Sequence, residues 1–327
     1  MMKAAPPRGA RLAALLCCVV RGCAKKVAIS EPLSWAAWLA AQEAHVRAWL
    51  AMHATVVLAW VAWFAIVAGG FALLPRSAPP SAGEKPRPTT PAGKCVGSPF
   101  EFPLVGELDP STTALLVIDL QRDFTERGGY IEAMGYDIAP LASPLPRVAR
   151  VLAACRERGF RIVHTRQGFR RDLADLTPYL IERYNRSGVE IGASGPLGRV
   201  FVRGERGWEI NSAVAPLGNE PVVDKTANSA FVGTDLDLIL RGWRVDKLII
   251  CGNTLDCCVH CTLRHAADLQ YQTLLLADCC GCVEEAPGLR KAMIDSVKVE
   301  GGLFGTVADS KALLTAISTG KTAKIDC

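Results

Sequence analysis

From about Thr112 to Ile317, short apolar runs alternate with segments whose apolar positions recur every three or four residues. TALLVID, FRIVHT, EPVVDK, DKLIICG and TLLLAD are continuous, β-prone runs of buried-strand length. Between them, PLPRVARVLAACRERG, LDLILRGW, CCVHCTLRHAADLQ and APGLRKAMIDSVKVE place apolar residues at helical spacing. Strands that alternate with helices predict an α/β domain, a parallel sheet covered by helices on both faces. The stretch from Arg170 to Asn219 breaks this rhythm: it is polar, Gly-rich and irregular, and such a long insert is expected to shape a binding site.

The N-terminal third follows another pattern. Residues 48–74 contain no Asp, Glu, Lys or Arg, and about 20 apolar residues suffice for a helix to cross a hydrocarbon core. Trp38, Trp49, Trp60 and Trp63 suit an interfacial or spanning segment. The pattern predicts a single transmembrane helix over 48–74, preceded by a basic segment, 1–47. A Pro- and Ser-rich linker, 75–100, then leads to a folded domain, 101–327. Residues 1–30 lack acids and hold the apolar run LAALLCCVV, as an organelle transit sequence or a signal peptide would. The lipid bilayer is thus an expected partner, and the localisation expected is a single-pass membrane protein.

Charge sharpens this division. Residues 1–100 carry eleven Lys or Arg against three Glu, so the chain's net charge of +5 leaves about −3 for residues 101–327. The basicity belongs to the tail, and the folded part has no basic stripe with interleaved aromatics, which argues against nucleic-acid binding. Ten of the 13 cysteines lie from Cys95 onward, mostly inside apolar runs such as LIIC and LLLADCC. Buried free cysteine behaves as a small hydrophobe, and this usage points to a reducing side of the membrane, cytosolic or stromal.

Ligands of parallel α/β folds bind at the carboxyl ends of the strands. Three reactive residues occupy those ends: Asp119 closes TALLVID, Lys225 closes PVVDK, and Cys258 opens the helix after KLIICGNTLD. CGNTLDCCVHC and ADCCGC also contain spacings compatible with zinc, but zinc pairs of this kind sit on tight knuckles, whereas Cys258 and Cys261 fall in the first turn of an amphipathic helix. A thiol at a helix N-terminus beside an ammonium is expected to have a lowered pKa. Cys258 is therefore read as a nucleophile, Lys225 as its ammonium and Asp119 as the proton acceptor.

These segments, LLVIDLQRDF, VVDK and G-N-T-x-D-x-C-V, resemble the signature segments of the isochorismatase-like cysteine hydrolases, in matching order. GGYIEAMGYDI, HTRQGFRRDLADL, GPLGRVFVRGERGWEI and LLLADCCG look most similar to the biuret amidohydrolase branch. The resemblance implies a Rossmann-like sheet and an Asp119–Lys225–Cys258 triad that hydrolyses a C–N bond through a thioester and releases ammonia. It also implies an oxyanion hole from the backbone N–H groups of Thr254 and Cys258, with a cis peptide joining Asn253 to Thr254.

The substrate implied is a small urea-like amide of biuret type. A ureidoacrylate-type amide, or a catalytically silent binding protein of the same fold, is the alternative. Phe124 is expected as a wall of the site, and Gln167, Arg170 and Glu300 as substrate contacts. Glu300 can equally be a solvated helix-end residue. The metal-binding Asp-x-His of the similar nicotinamidases has no counterpart here, so neither metal nor other cofactor is expected. Relatives commonly assemble, so a homo-oligomer is a further expectation.

Overall fold

The computed structural model describes residues 40, 42–47, 93–283 and 286–319. The chain divides into two compact units, Met1–Gly83 and Glu84–Cys327. In the first, residues 42–47 are helical, and Arg47 pairs with Glu43. The expected span 48–74, the rest of the basic segment and the linker up to residue 92 lie outside the described residues. No helix among the described residues is long and apolar enough to cross a membrane.

The described strands of the second unit are β1 (Thr113–Ile118), β2 (Arg161–Gln167), β3 (Ser194–Gly195), β4 (Gly198–Arg199), β5 (Val222–Lys225), β6 (Lys247–Gly252), β7 (Gln272–Cys280) and β8 (Thr306–Ala308). Six of them form one sheet in the order β5-β2-β1-β6-β7-β8, and every adjacent pair is parallel. All residues of β1 and β6 are buried, which explains why the two central strands read as continuous apolar runs.

The longer helices are α1 (Leu145–Glu157), α2 (Pro178–Asn185), α3 (Leu236–Gly242), α4 (His260–Asp268), α5 (Leu289–Val297) and α6 (Ser310–Thr319). α1 buries Leu145, Val148, Val151, Leu152 and Cys155, the stripe its spacing predicts. It packs against α6 and β7. α1 joins β1 to β2, whereas α3 and α4 join strands that progress the opposite way across the sheet. Right-handed crossovers therefore put these helices on opposite faces.

Chain direction positions the site. From β1 the chain moves outward through β2 to β5, then returns to lay β6 on the other side of β1. The carboxyl ends of β1 and β6 thus flank the switch point, the crevice where open α/β sheets bind ligands. Gly252, at the end of β6, has φ +125°, and a Cβ there would strike the backbone of Ile118. Only glycine lets the two strand ends approach so closely.

Two details depart from the sequence expectations. Cys258 lies in a π-helical turn, Leu255–Val259, and α4 begins only after it, at His260. The helix expected over 286–300 stops at Val297, and Glu300 and Gly301 then adopt left-handed conformations, φ 52° and 77°. A second, smaller apolar cluster joins Phe124, Tyr130, Ile131 and Leu141 to Phe169, Val189, Ile191, Val200 and Phe201. It roots the irregular insert onto the segment that follows β1.

Candidate active site

Register brings the three strand-end residues together. Ile118 pairs with Gly252, and Gln167 on β2 pairs with Lys225 on β5. Asp119 follows β1 directly with φ 48°, a left-handed turn that Asp tolerates better than most residues. Its Oδ1 accepts a 2.6 Å hydrogen bond from Thr165 Oγ1. Its Oδ2 lies 2.7 Å from Lys225 Nζ, and both side chains are fully buried.

An ammonium has three protons to donate. Lys225 donates to Gln167 Oε1 at 2.6 Å, to the Ala227 carbonyl at 3.0 Å and to Cys258 Sγ at 3.3 Å. Asp119 Oδ2 is consequently held as an ion pair and accepts no hydrogen bond of its own. A buried acid with an uncommitted oxygen thus shares one ammonium with a buried thiol.

Burial alone would lower the Lys225 pKa. The Asp119 charge, helped by the contact with Cys258, outweighs it and lifts the amine above its ordinary value, so it stays charged. For Cys258 the expected lowering is overturned. A hydrogen bond with Cys257, then burial, raises its thiol well above the ordinary value; the Asp119 charge adds to the rise and Lys225 opposes it. Cys258 is 5% exposed, the same hydrogen bond lowers Cys257, and the carboxylate that can take the Cys258 proton also repels its thiolate.

The loop between β6 and the π turn is braced from both sides. The Asn253–Thr254 peptide is cis. Asn253 is fully buried; its Nδ2 donates to the Leu141 carbonyl at 3.1 Å and its Oδ1 accepts from the Gly281 amide at 3.2 Å. A side chain at residue 281 would collide with that Oδ1 and with Leu141, which accounts for the glycine in ADCCGC. Among the described residues, no protein group accepts from the Thr254 amide, so this donor is available to a ligand beside Cys258.

A cavity of about 400 Å3 adjoins these groups, with Cys258, Cys257, Asp256 and Thr254 on one side. Phe124, Tyr130, Tyr184 and Phe201 supply an aromatic wall, and Gln167, Asn228, Arg183 and Ser187 add polar groups. Tyr130 and Phe201 pack with ring centroids 4.2 Å apart, and Phe124 and Phe201 with centroids 5.4 Å apart.

Of the expected substrate contacts, Phe124 and Gln167 line this cavity, though Gln167 spends its amide on Lys225 and on the Thr226 carbonyl. Arg170 does not line it; its side chain is exposed and pairs with Asp172 at 3.1 Å. Glu300 does not line it either: the left-handed turn leaves it exposed beyond α5. Arg166 is likewise engaged elsewhere, 2.8 Å from Asp224 and stacked on Trp208.

Tyr130, Tyr184 and Phe201 were not legible as site residues. Their only signal was their place in the insert and in the GGY segment, because those segments show no periodicity that marks a buried face. The described cysteines are all free thiols. Among the described residues no group of three or more His, Cys, Asp or Glu is disposed to hold a metal ion.

Comparison with known proteins agrees with this geometry. Residues 113–312 match the isochorismatase domain. A ureidoacrylate amidohydrolase of Methylorubrum extorquens is 27% identical over 222 residues, 66% of this chain and 87% of that protein. One of Variovorax paradoxus is 28% identical over 232 residues, 67% and 91% of the two chains. An isochorismatase family protein of Desulfovibrio vulgaris superposes with a TM-score of 0.51 at 28% identity, covering 62% of this chain and 96% of its own. A cysteine hydrolase of Pseudomonas syringae shares the fold with a TM-score of 0.54 at 24% identity, covering 65% and 95%.

Proposed function

The chain belongs to the isochorismatase family, and from that premise we propose that it is a cysteine-dependent amidohydrolase. It cleaves the C–N bond of a small, linear, urea-like amide through a thioester on Cys258. The observation that carries this reading is the single buried ammonium of Lys225, in contact with both the Asp119 carboxylate and the Cys258 sulfur beside an open cavity.

Cys258 rests as a thiol. When a substrate carbonyl reaches it, Asp119 Oδ2 accepts the thiol proton while the sulfur bonds to carbon. Lys225 stabilises the charge as it moves from carboxylate to sulfur. The oxyanion that forms on the carbonyl is met by the amides of Thr254 and Cys258, donors each worth about 3 kcal/mol when preorganised. Asp119 then gives its proton to the departing nitrogen, takes one from water, and the hydroxide cleaves the thioester to return the thiol.

Biuret is the substrate type implied by the sequence segments. A ureidoacrylate-type amide is the second reading, favoured by the named relatives and by Arg183 at the cavity, whose guanidinium can pair with a carboxylate. Glu300, the residue expected to distinguish the two, stands away from the cavity. We further propose that residues 48–74 tether the enzyme to a bilayer with its catalytic unit on a reducing side; membrane fractionation and alkali extraction test this part separately.

The catalytic proposal is tested by offering the full-length chain biuret and a ureidoacrylate-type amide, beside Cys258→Ala. Product release that the substitution abolishes, with an acyl adduct trapped on Cys258, is the expected result. Turnover that persists in Cys258→Ala, or no turnover and no thiol reactivity in the parent, defeats the proposal.

A further inference from the structure

Asp123, four residues beyond Asp119, is 2% exposed, and the mechanism does not use it. Its carboxylate is partnered by backbone amides rather than by a cation. Phe201 N–H donates to Oδ2 at 3.2 Å, and the Tyr130 amide also favours the charged carboxylate. The α-carbon of Gly207 abuts the carboxylate so closely that no side chain fits there. Burial raises the Asp123 carboxyl to about 6, against the pull of the two amides, so at neutral pH the buried group is mostly ionised.

The two amides belong to residues whose rings form the cavity wall. Phe201 holds φ 53°, an uncommon and strained state for a bulky side chain. In that conformation its ring packs against both Tyr130 and Phe124. Tyr130 comes from the segment after β1 and Phe201 from the insert; the carboxylate between them joins the two. A neutral Asn would not do the same, because it keeps one acceptor oxygen but loses the charge that strengthens these bonds.

We propose that Asp123 is a positioning residue of the substrate cavity: its carboxylate holds the backbone of Tyr130 and Phe201 so that their rings stand as one wall, and this wall decides which acyl groups reach Cys258. The inference rests on the amidohydrolase reading for its role in turnover. The burial of an ionised group without a counter-cation, beside the strained Phe201, is then explained by what it holds in place.

The test uses the full-length chain, Asp123→Asn and Phe201→Ala. With a turned-over amide, Asp123→Asn is expected to raise KM about tenfold, the scale of one charge-assisted hydrogen bond, while kcat per titrated Cys258 stays within about threefold. An unchanged KM with kcat lowered only in proportion to the folded fraction overturns the proposal. A second readout needs no turnover: the ratio of Cys258 alkylation rates for N-phenyliodoacetamide and iodoacetamide. Both variants should shift this ratio several-fold while iodoacetamide alone reacts near the parent rate. If the parent hydrolyses no amide, the functional reading fails, yet the ratio still decides this inference; a ratio unmoved in folded Phe201→Ala overturns it even where Asp123→Asn does not fold.

Discussion

Replacing Lys225 by Met probes the centre of the site. The substitution keeps the length of the side chain and removes its charge. Asp119 is then left as a fully buried carboxylate with Thr165 Oγ1 as its side-chain donor, and Gln167 Oε1, the Ala227 carbonyl and Cys258 Sγ each lose a partner. Removing one member of a buried ion pair typically costs about 3–5 kcal/mol, because the other charge stays desolvated and unpaired. Catalysis should suffer separately. A thiolate 3.3 Å from an ammonium gains about 5 kcal/mol at an effective dielectric near 20, of which desolvation returns a large part. A net loss of one to three units in log rate is therefore expected for Cys258 alkylation, at about 1.4 kcal/mol per unit. Urea denaturation measures the first effect and iodoacetamide kinetics the second. The double variant Asp119→Asn with Lys225→Met removes both charges and should recover most of the stability but none of the reactivity. A single variant as stable as its parent, or alkylation at the parent rate, would refute the argument that this ammonium serves both neighbours.

Other outcomes follow from the same contacts. Asn253→Val strips the Leu141 carbonyl of its donor and releases the loop that presents Thr254; a loss of about 1–3 kcal/mol in stability and a lowered kcat are expected, and an unchanged kcat contradicts the brace. Glu300→Gln should leave kcat and KM within about twofold, as for exposed positions generally; a clear shift in KM would return Glu300 to the substrate site. Asp123, raised to about 6, has a folded value above its unfolded one, so its stability contribution is full below about pH 4 and is lost as pH rises through about 6. That loss is up to about 3 kcal/mol, and Asp123→Asn should flatten this part of the stability–pH curve in urea titrations; parallel curves for parent and variant would refute it.

Much of this is readable in the sequence. Period separates strands from helices, and a strand buried on both faces must be apolar throughout, so β1 and β6 announced themselves. Asp119, Lys225 and Cys258 were legible because a polar residue closing an apolar run stands out. β8 was missed because three residues, Thr306–Ala308, carry no pattern of their own. Glu300 stood between a substrate contact and a solvated helix-end residue because sequence reveals a charge near a helix end but not the left-handed turn that leaves it exposed.

The protonation state of Cys258 was also beyond local reasoning. Proximity to a helix terminus and a lysine argues for a thiolate, but the hydrogen bond with Cys257, burial and the nearby carboxylate act through the folded arrangement and reverse the sign. Local pattern by itself determined the class of sheet, the order of the strands' reactive ends and the chemistry those ends offer, because these depend on residue type and spacing. Tertiary structure alone decided that one ammonium joins acid and thiol, that aromatic rings from two distant segments form the cavity wall, and that Asp123 ties those segments together. Contacts between residues as far apart as 123 and 201 depend on how loops close over a sheet, and no short-range periodicity encodes that.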